Sequence, residues 1–124
     1  MRTLELSCEL SELAKIKECI FDLSVEDGQK KKIFLACEEI FSNIANYSEA
    51  EKVEFSYSEN AGKVTVIFTD DGKLFDPLER RTEKDFDDFD EGGMGISLVK
   101  ELCSDIHYAD TDGKNRLSLE FTDK

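Results

Sequence analysis

The chain reads as an α+β domain, a two-layer sandwich in which a mostly antiparallel mixed sheet carries three helices on one face. Three observations predict this. Runs that alternate apolar and polar residues come in adjacent pairs, 53–57 with 64–68 and 106–108 with 117–121, each pair joined by a turn sequence. Stretches of helical period lie outside these pairs, giving the order β-α-α-β-β-loop-α-β-β. Strands and helices therefore do not strictly alternate, which disfavours a doubly wound parallel sheet. With 124 residues, 40% apolar content and nine Phe, the chain suits one domain, 1–124, around one core.

Each element has its own signal. Thr3 to Cys8 sets Leu4, Leu6 and Cys8 against Thr3, Glu5 and Ser7, the pattern of a half-buried strand. A first helix opens at Ser11 as N-cap and places Leu13, Ile16, Ile20 and Leu23 on one face. Asp27-Gly28 breaks the chain before a second helix from about Gln29 to Tyr47, whose buried stripe is Ile33, Phe34, Cys37, Ile40, Phe41 and Ile44. Val53, Phe55 and Tyr57, then Val64, Val66 and Phe68, alternate on either side of the hairpin turn Asn60-Ala61-Gly62. Periodicity is lost from Lys73 to Glu91, where Pro77 and the acidic run Asp85–Glu91 read as a mobile loop. A third helix, roughly Gly95 to Ser104, turns Ile96, Val99, Leu102 and Cys103 inward. The last hairpin turns at Asp112-Gly113-Lys114-Asn115.

Composition excludes several function classes. A net charge of −13 makes nucleic acid and anionic membrane surfaces poor partners. No apolar run approaches the roughly 20 residues of a membrane span. Met1 to Ser7 alternates and carries an acid early, unlike a signal peptide, so the cytoplasm is the expected compartment. The cysteines Cys8, Cys19, Cys37 and Cys103 lack paired spacing and only one His is present, which argues against zinc and for reduced thiols.

Three segments carry candidate chemistry. On a helical wheel at 100° per residue, Glu39, Asn43 and Asn46 share one polar stripe of the second helix. The plain reading is a solvated flank. The chemical reading gives Asn43 a hard oxygen for Mg²⁺, and Glu39 a proton to take from an attacking water or hydroxyl. Asp70-Asp71-Gly72 ends a strand: a carboxylate there can accept from an exocyclic amine such as adenine N6, and Gly72 allows close approach to a flat ring. By itself it is an acidic turn. Gly92-Gly93-Met94-Gly95 leads into a helix, where backbone N–H groups and the helix dipole suit phosphate; alone it reads equally as a hinge.

Taken in order, Glu39…Asn43, Asp70-x-Gly72 and Gly93-x-Gly95 resemble the three ATP-binding boxes of the GHKL superfamily. Glu38–Tyr47, Asp70–Pro77, Gly92–Leu102 and Asp112–Leu117 look most like one branch, the bacterial anti-sigma-factor serine/threonine kinases, and the similarity spans nearly the whole chain. The resemblance implies a histidine-kinase-like ATP-binding domain with the Bergerat fold and a lid at about 73–91. It implies Mg²⁺ at Asn43 and a general base at Glu39. The adenine amine would meet Asp70, the ring would lie against Gly72, and phosphates would sit on Gly93 and Gly95, with Asn46, Phe75 and Met94 completing the ATP-binding set. It further implies phosphorylation of a small STAS-type anti-sigma-factor antagonist, capture of a sigma factor, partner switching and a homodimer.

One feature departs from that branch. Asp85, Asp87, Asp88, Asp90 and Glu91 crowd the approach to the glycines, with Arg80, Arg81 and Lys84 the nearby cations. Carboxylates facing a triphosphate repel it unless they point outward or bind the metal. A catalytically weak or inactive ATP- or ADP-binding interaction module is therefore the alternative to a kinase, and an acidic α+β interaction domain without nucleotide is the plainer third reading.

Overall fold

The computed structural model describes residues 1–74 and 90–122, with side chains omitted for 90–95. Five strands form one sheet: β1 (Arg2–Ser7), β2 (Lys52–Asn60), β3 (Lys63–Asp70), β4 (Asp105–Thr111) and β5 (Lys114–Thr122). Their spatial order is β1-β2-β3-β5-β4, and every pair is antiparallel, so the sheet is wholly rather than mostly antiparallel. Among the described residues the α-helices are α1 (Leu13–Phe21), α2 (Asp27–Asn43) and α3 (Asp90–Leu102), with α2 packed between the other two.

Period-2 alternation decides which sheet face is covered. Leu6 of β1, Val53 and Phe55 of β2, Val64, Val66 and Phe68 of β3, and Leu117, Leu119 and Phe121 of β5 all join one core. Ile16 and Ile20 of α1, Ile33, Cys37, Ile40 and Phe41 of α2, and Val99 of α3 close it from the helix side. The other face keeps Glu54, Thr65, Arg116 and His107 partly or fully in solvent. The two hairpins have two-residue turns, Ala61-Gly62 and Asp112-Gly113, with positive φ at both positions as right-twisted strands require.

Four local expectations differ from the structure. Ser11 is not an N-cap; it lies in a short 3₁₀ turn, Leu10–Glu12, that leads into α1. Glu12 instead ties the junction, its carboxylate accepting from the Ser7 N–H at 3.2 Å. Asp27-Gly28 opens α2 rather than breaking the chain. The second helix does not stay α-helical to Tyr47: after Asn43 it widens into a π turn, Ile44–Ser48, that ends with Glu49 at φ 63°. Finally, α3 is described from Asp90 onward, so the glycine run lies within a helix and not in a loop before it.

Candidate functional site

Register brings the acidic turn and the closing hairpin together. Asp70 is the last residue of β3, and alternation from Val64, Val66 and Phe68 puts it on the helix-facing side. Its partner across β3–β5 is Asn115, on the same face of β5 as Leu117 and Leu119. Both are buried polar residues, 5% and 7% exposed, and so need partners. Asp70 Oδ1 accepts from the Gly72 N–H at 2.9 Å and from Asn115 Nδ2 at 3.1 Å. Asn115 Nδ2 also donates to the Lys73 carbonyl at 2.7 Å, while Asn115 Oδ1 accepts from the Tyr108 hydroxyl at 2.5 Å.

The C-terminal end of α2 meets this same end of the sheet. Cys8, just past β1, donates its thiol to the Ile44 carbonyl at 3.7 Å. Burial pushes the Cys8 thiol above its usual range, and the nearby Asp70 and Asp71 charges push it further. The π turn is closed by Ser48, whose hydroxyl donates to the Ile44 carbonyl at 2.7 Å and accepts from the Ala50 N–H at 3.0 Å. The Ser48 carbonyl accepts from the Lys73 N–H at 2.9 Å, joining the π turn to the turn after β3. Asp71 fixes the opposite side: Oδ1 accepts from the Glu51 and Lys52 N–H groups at 2.9 and 3.3 Å, which holds its carboxyl below the ordinary range.

The sequence-predicted residues fall unevenly on this frame. Glu39 and Asn43 lie half-buried in the last two turns of α2, while Asn46 is exposed within the π turn. The 100° wheel that put Asn46 on their stripe holds only as far as Asn43, because a π turn advances differently. Gly72 faces protein: a Cβ there would lie 2.4 Å from the Ser48 carbonyl oxygen, which by itself requires glycine. Gly93, Met94 and Gly95 lie within α3, the helix packed beside α2. Phe75 lies outside the described residues, as do Arg80, Arg81, Lys84 and most of the 73–91 segment.

Asn115, Tyr108 and Ser48 are site-end residues that the sequence reading passed over. Asn115 had a signal: it begins the inward set Asn115, Leu117, Leu119, Phe121, a polar residue on an apolar face. Its pairing with Asp70, 45 residues away, follows from strand order that no local pattern encodes. Among the described residues no group of three His, Cys, Asp or Glu side chains is placed to hold a metal. One amide oxygen such as Asn43's fits a Mg²⁺ ion that keeps several waters and takes its other ligands from phosphates.

The family profile for the histidine kinase-like ATPase domain matches residues 10–121. Comparison with curated protein sequences gives no match. Among solved structures, the RsbU and RsbW domains of Rv1364c from Mycobacterium tuberculosis superpose with a TM-score of 0.61 at 12% identity, covering 98% of this chain and 32% of that one. The present chain thus spans about a third of that protein's length. Histidine kinase AdeS of Acinetobacter baumannii gives a TM-score of 0.57 at 15% identity, with 98% and 68% covered. The catalytic domain of histidine kinase ThkA gives 0.57 at 16%, with 98% and 97% covered. At these identities the likeness is one of fold.

Proposed function

The chain belongs to the histidine kinase-like ATPase family of the GHKL superfamily, and on that premise we propose that it is an ATP-binding serine/threonine protein kinase of the anti-sigma-factor type. The observation that best supports the reading is Asp70: a buried carboxylate, fixed by two donors through one oxygen, at the sheet end that α2 reaches with Asn43 and Glu39. A fixed ionised carboxylate accepts hydrogen bonds and donates none, which suits an amine and not a carbonyl.

In this reading Asp70 receives the adenine amine, and the N–H groups around Gly93 and Gly95 receive phosphate. Asn43 would hold Mg²⁺, which would neutralise charge on the phosphates. Asn46, Met94 and Phe75 complete the pocket. Glu39 accepts the proton of a serine hydroxyl as that oxygen bonds to the terminal phosphorus and ADP departs. The protein substrate is a small STAS-type antagonist, with a sigma factor as second partner, a homodimer as the working state and the cytoplasm as compartment. The superposition on a chain named for an RsbW domain supports this branch.

Two measurements test the reading. Calorimetric titration with Mg-ATP should give binding that Asp70→Asn weakens at least tenfold; absence of binding by the wild type would sink the nucleotide assignment. Transfer of labelled γ-phosphate to a STAS-type antagonist should occur and fall at least a hundredfold in Glu39→Ala. The acidic run 85–91 favours a second reading, a nucleotide-dependent binder without chemistry. Tight ATP binding and antagonist capture with no transfer would select it.

A further inference from the structure

Asp70 does not stand alone: one of the two donors that hold it comes from the β4–β5 hairpin. Asn115 bridges two points of the chain with one amide nitrogen: the Asp70 carboxylate and the Lys73 carbonyl. Both partners are acceptors, so both demand the NH₂ end of the amide; a flipped Asn115 would set oxygen against oxygen twice. The third contact enforces the same choice, because the Tyr108 hydroxyl donates to the remaining Oδ1. Tyr108 is placed for this by register. It sits opposite Leu117, two residues from Asn115 on the same face, the diagonal position within reach of a long side chain.

We propose that Asn115, with Tyr108 behind it, is a positioning residue for base selection: it locks the Asp70 carboxylate as a fixed acceptor and so makes the site take 6-aminopurine over 6-oxopurine nucleotides. The inference rests on the nucleotide reading above. A carboxylate accepts in every orientation, but its bond to an amine and its repulsion of a carbonyl reach full strength only when an oxygen is held on the base edge. The Gly72 N–H holds Oδ1 from the local turn, two residues away. Asn115 holds the same oxygen from across the sheet and anchors it to Lys73, on the other side of that turn. Without Asn115 the carboxylate keeps only its local bond to the Gly72 N–H, while the turn itself stays tied to Ser48 through the Lys73 N–H. The carboxyl can then rotate away from the base edge, which weakens the amine bond and relieves the repulsion of a 6-oxo group. Tyr108 contributes one step removed, by keeping the amide in the productive orientation.

The test is a ratio. Dissociation constants for Mg-ATP and for inosine triphosphate with Mg²⁺, which carries a carbonyl where ATP carries the amine, are measured for wild type, Asp70→Asn, Asn115→Ala, Asn115→Ser and Tyr108→Phe, each with its thermal midpoint. The wild type should prefer ATP by roughly 30- to 100-fold, the worth of one charge-assisted hydrogen bond. Asn115→Ala should shrink that preference at least fivefold, and Tyr108→Phe about two- to threefold. An unchanged ratio in both, with both nucleotides weakened equally, would mean a purely structural role and overturn the proposal. If Asn115→Ala does not fold, Asn115→Ser and Tyr108→Phe decide by the same ratio. The underlying reading fails differently: a wild type that binds neither nucleotide, or an Asp70→Asn ratio equal to wild type, removes the amine-reading role of Asp70 and this proposal with it.

Discussion

Gly72 shows how one position can be fixed for a reason the sequence does not display. In the sequence it reads as room for a ring; in the fold its missing Cβ makes room for the Ser48 backbone, at 2.4 Å from the carbonyl oxygen. That oxygen is held by the Lys73 N–H and cannot retreat cheaply. Gly72→Ala should therefore destabilise the protein without any ligand, by about 1–3 kcal/mol as overpacking does, measured as a lower urea midpoint with unchanged slope. Lost nucleotide binding in that variant would not by itself establish a ring contact. Asp71, next in the chain, makes a prediction in pH. Its carboxyl is held below its ordinary value by the Glu51 and Lys52 N–H groups, so the charged form is favoured in the folded state. Its contribution is thus complete above the unfolded pKa of about 3.9 and disappears as pH falls through the lower folded value. The stability difference between wild type and Asp71→Ala should be constant from pH 7 to 5 and shrink below about pH 4. Equal differences at pH 7 and pH 3 would remove the hydrogen-bond explanation.

Elements were legible where hydrophobic period and turn chemistry agreed. The strands of both hairpins, the stripe of α2 and the inward set Ile96, Val99, Leu102 could be read because burial on one face repeats at two or 3.6 residues. What could not be read was set by contacts across the fold. The π turn after Asn43 exists where Cys8 and Ser48 both bond the Ile44 carbonyl, and neither bond leaves a trace in local propensity. The earlier start of α3 runs through three glycines, each costing about 1 kcal/mol relative to Ala, so propensity argued the other way. Asn115 reads from the sequence as part of a turn, whereas β5 already begins at Lys114, and Asp70 as its partner depended on β5 lying beside β3. Two predictions belong at this scale. Ser48→Ala removes the two hydroxyl bonds of the π turn and should cost about 1–2 kcal/mol, read as a lower melting temperature. Ala61, at φ 53°, occupies a turn position that favours Asn or Gly. Ala61→Asn should raise stability by about 0.5–1 kcal/mol and leave nucleotide affinity unchanged, since the Ala61-Gly62 turn lies at the opposite end of β3 from Asp70.

Across the whole molecule, the dominant unsatisfied term is charge. The chain carries 29 acidic against 16 basic residues, and the described lysine–carboxylate pairs, at 3.3–3.9 Å, each have at least one partner in solvent. Such pairs contribute little, about 0–1 kcal/mol each. The excess acids repel one another over longer distances and oppose the compact state. Salt acts unequally on the two effects. With a Debye length of about 30 Å at 0.01 M and about 10 Å at 0.1 M, added salt removes repulsion between distant carboxylates while contact pairs are screened less. The two effects have opposite signs, and the long-range one is larger here because the charge is so unbalanced. Raising NaCl from 20 to 300 mM should therefore stabilise the fold by about 1 kcal/mol, or about 4 °C in melting temperature. The same increment should appear with KCl, because screening depends on ionic strength and not on ion identity. A melting temperature that falls or stays level with salt would mean that the surface pairs, and not the acidic excess, set the electrostatic balance of this fold.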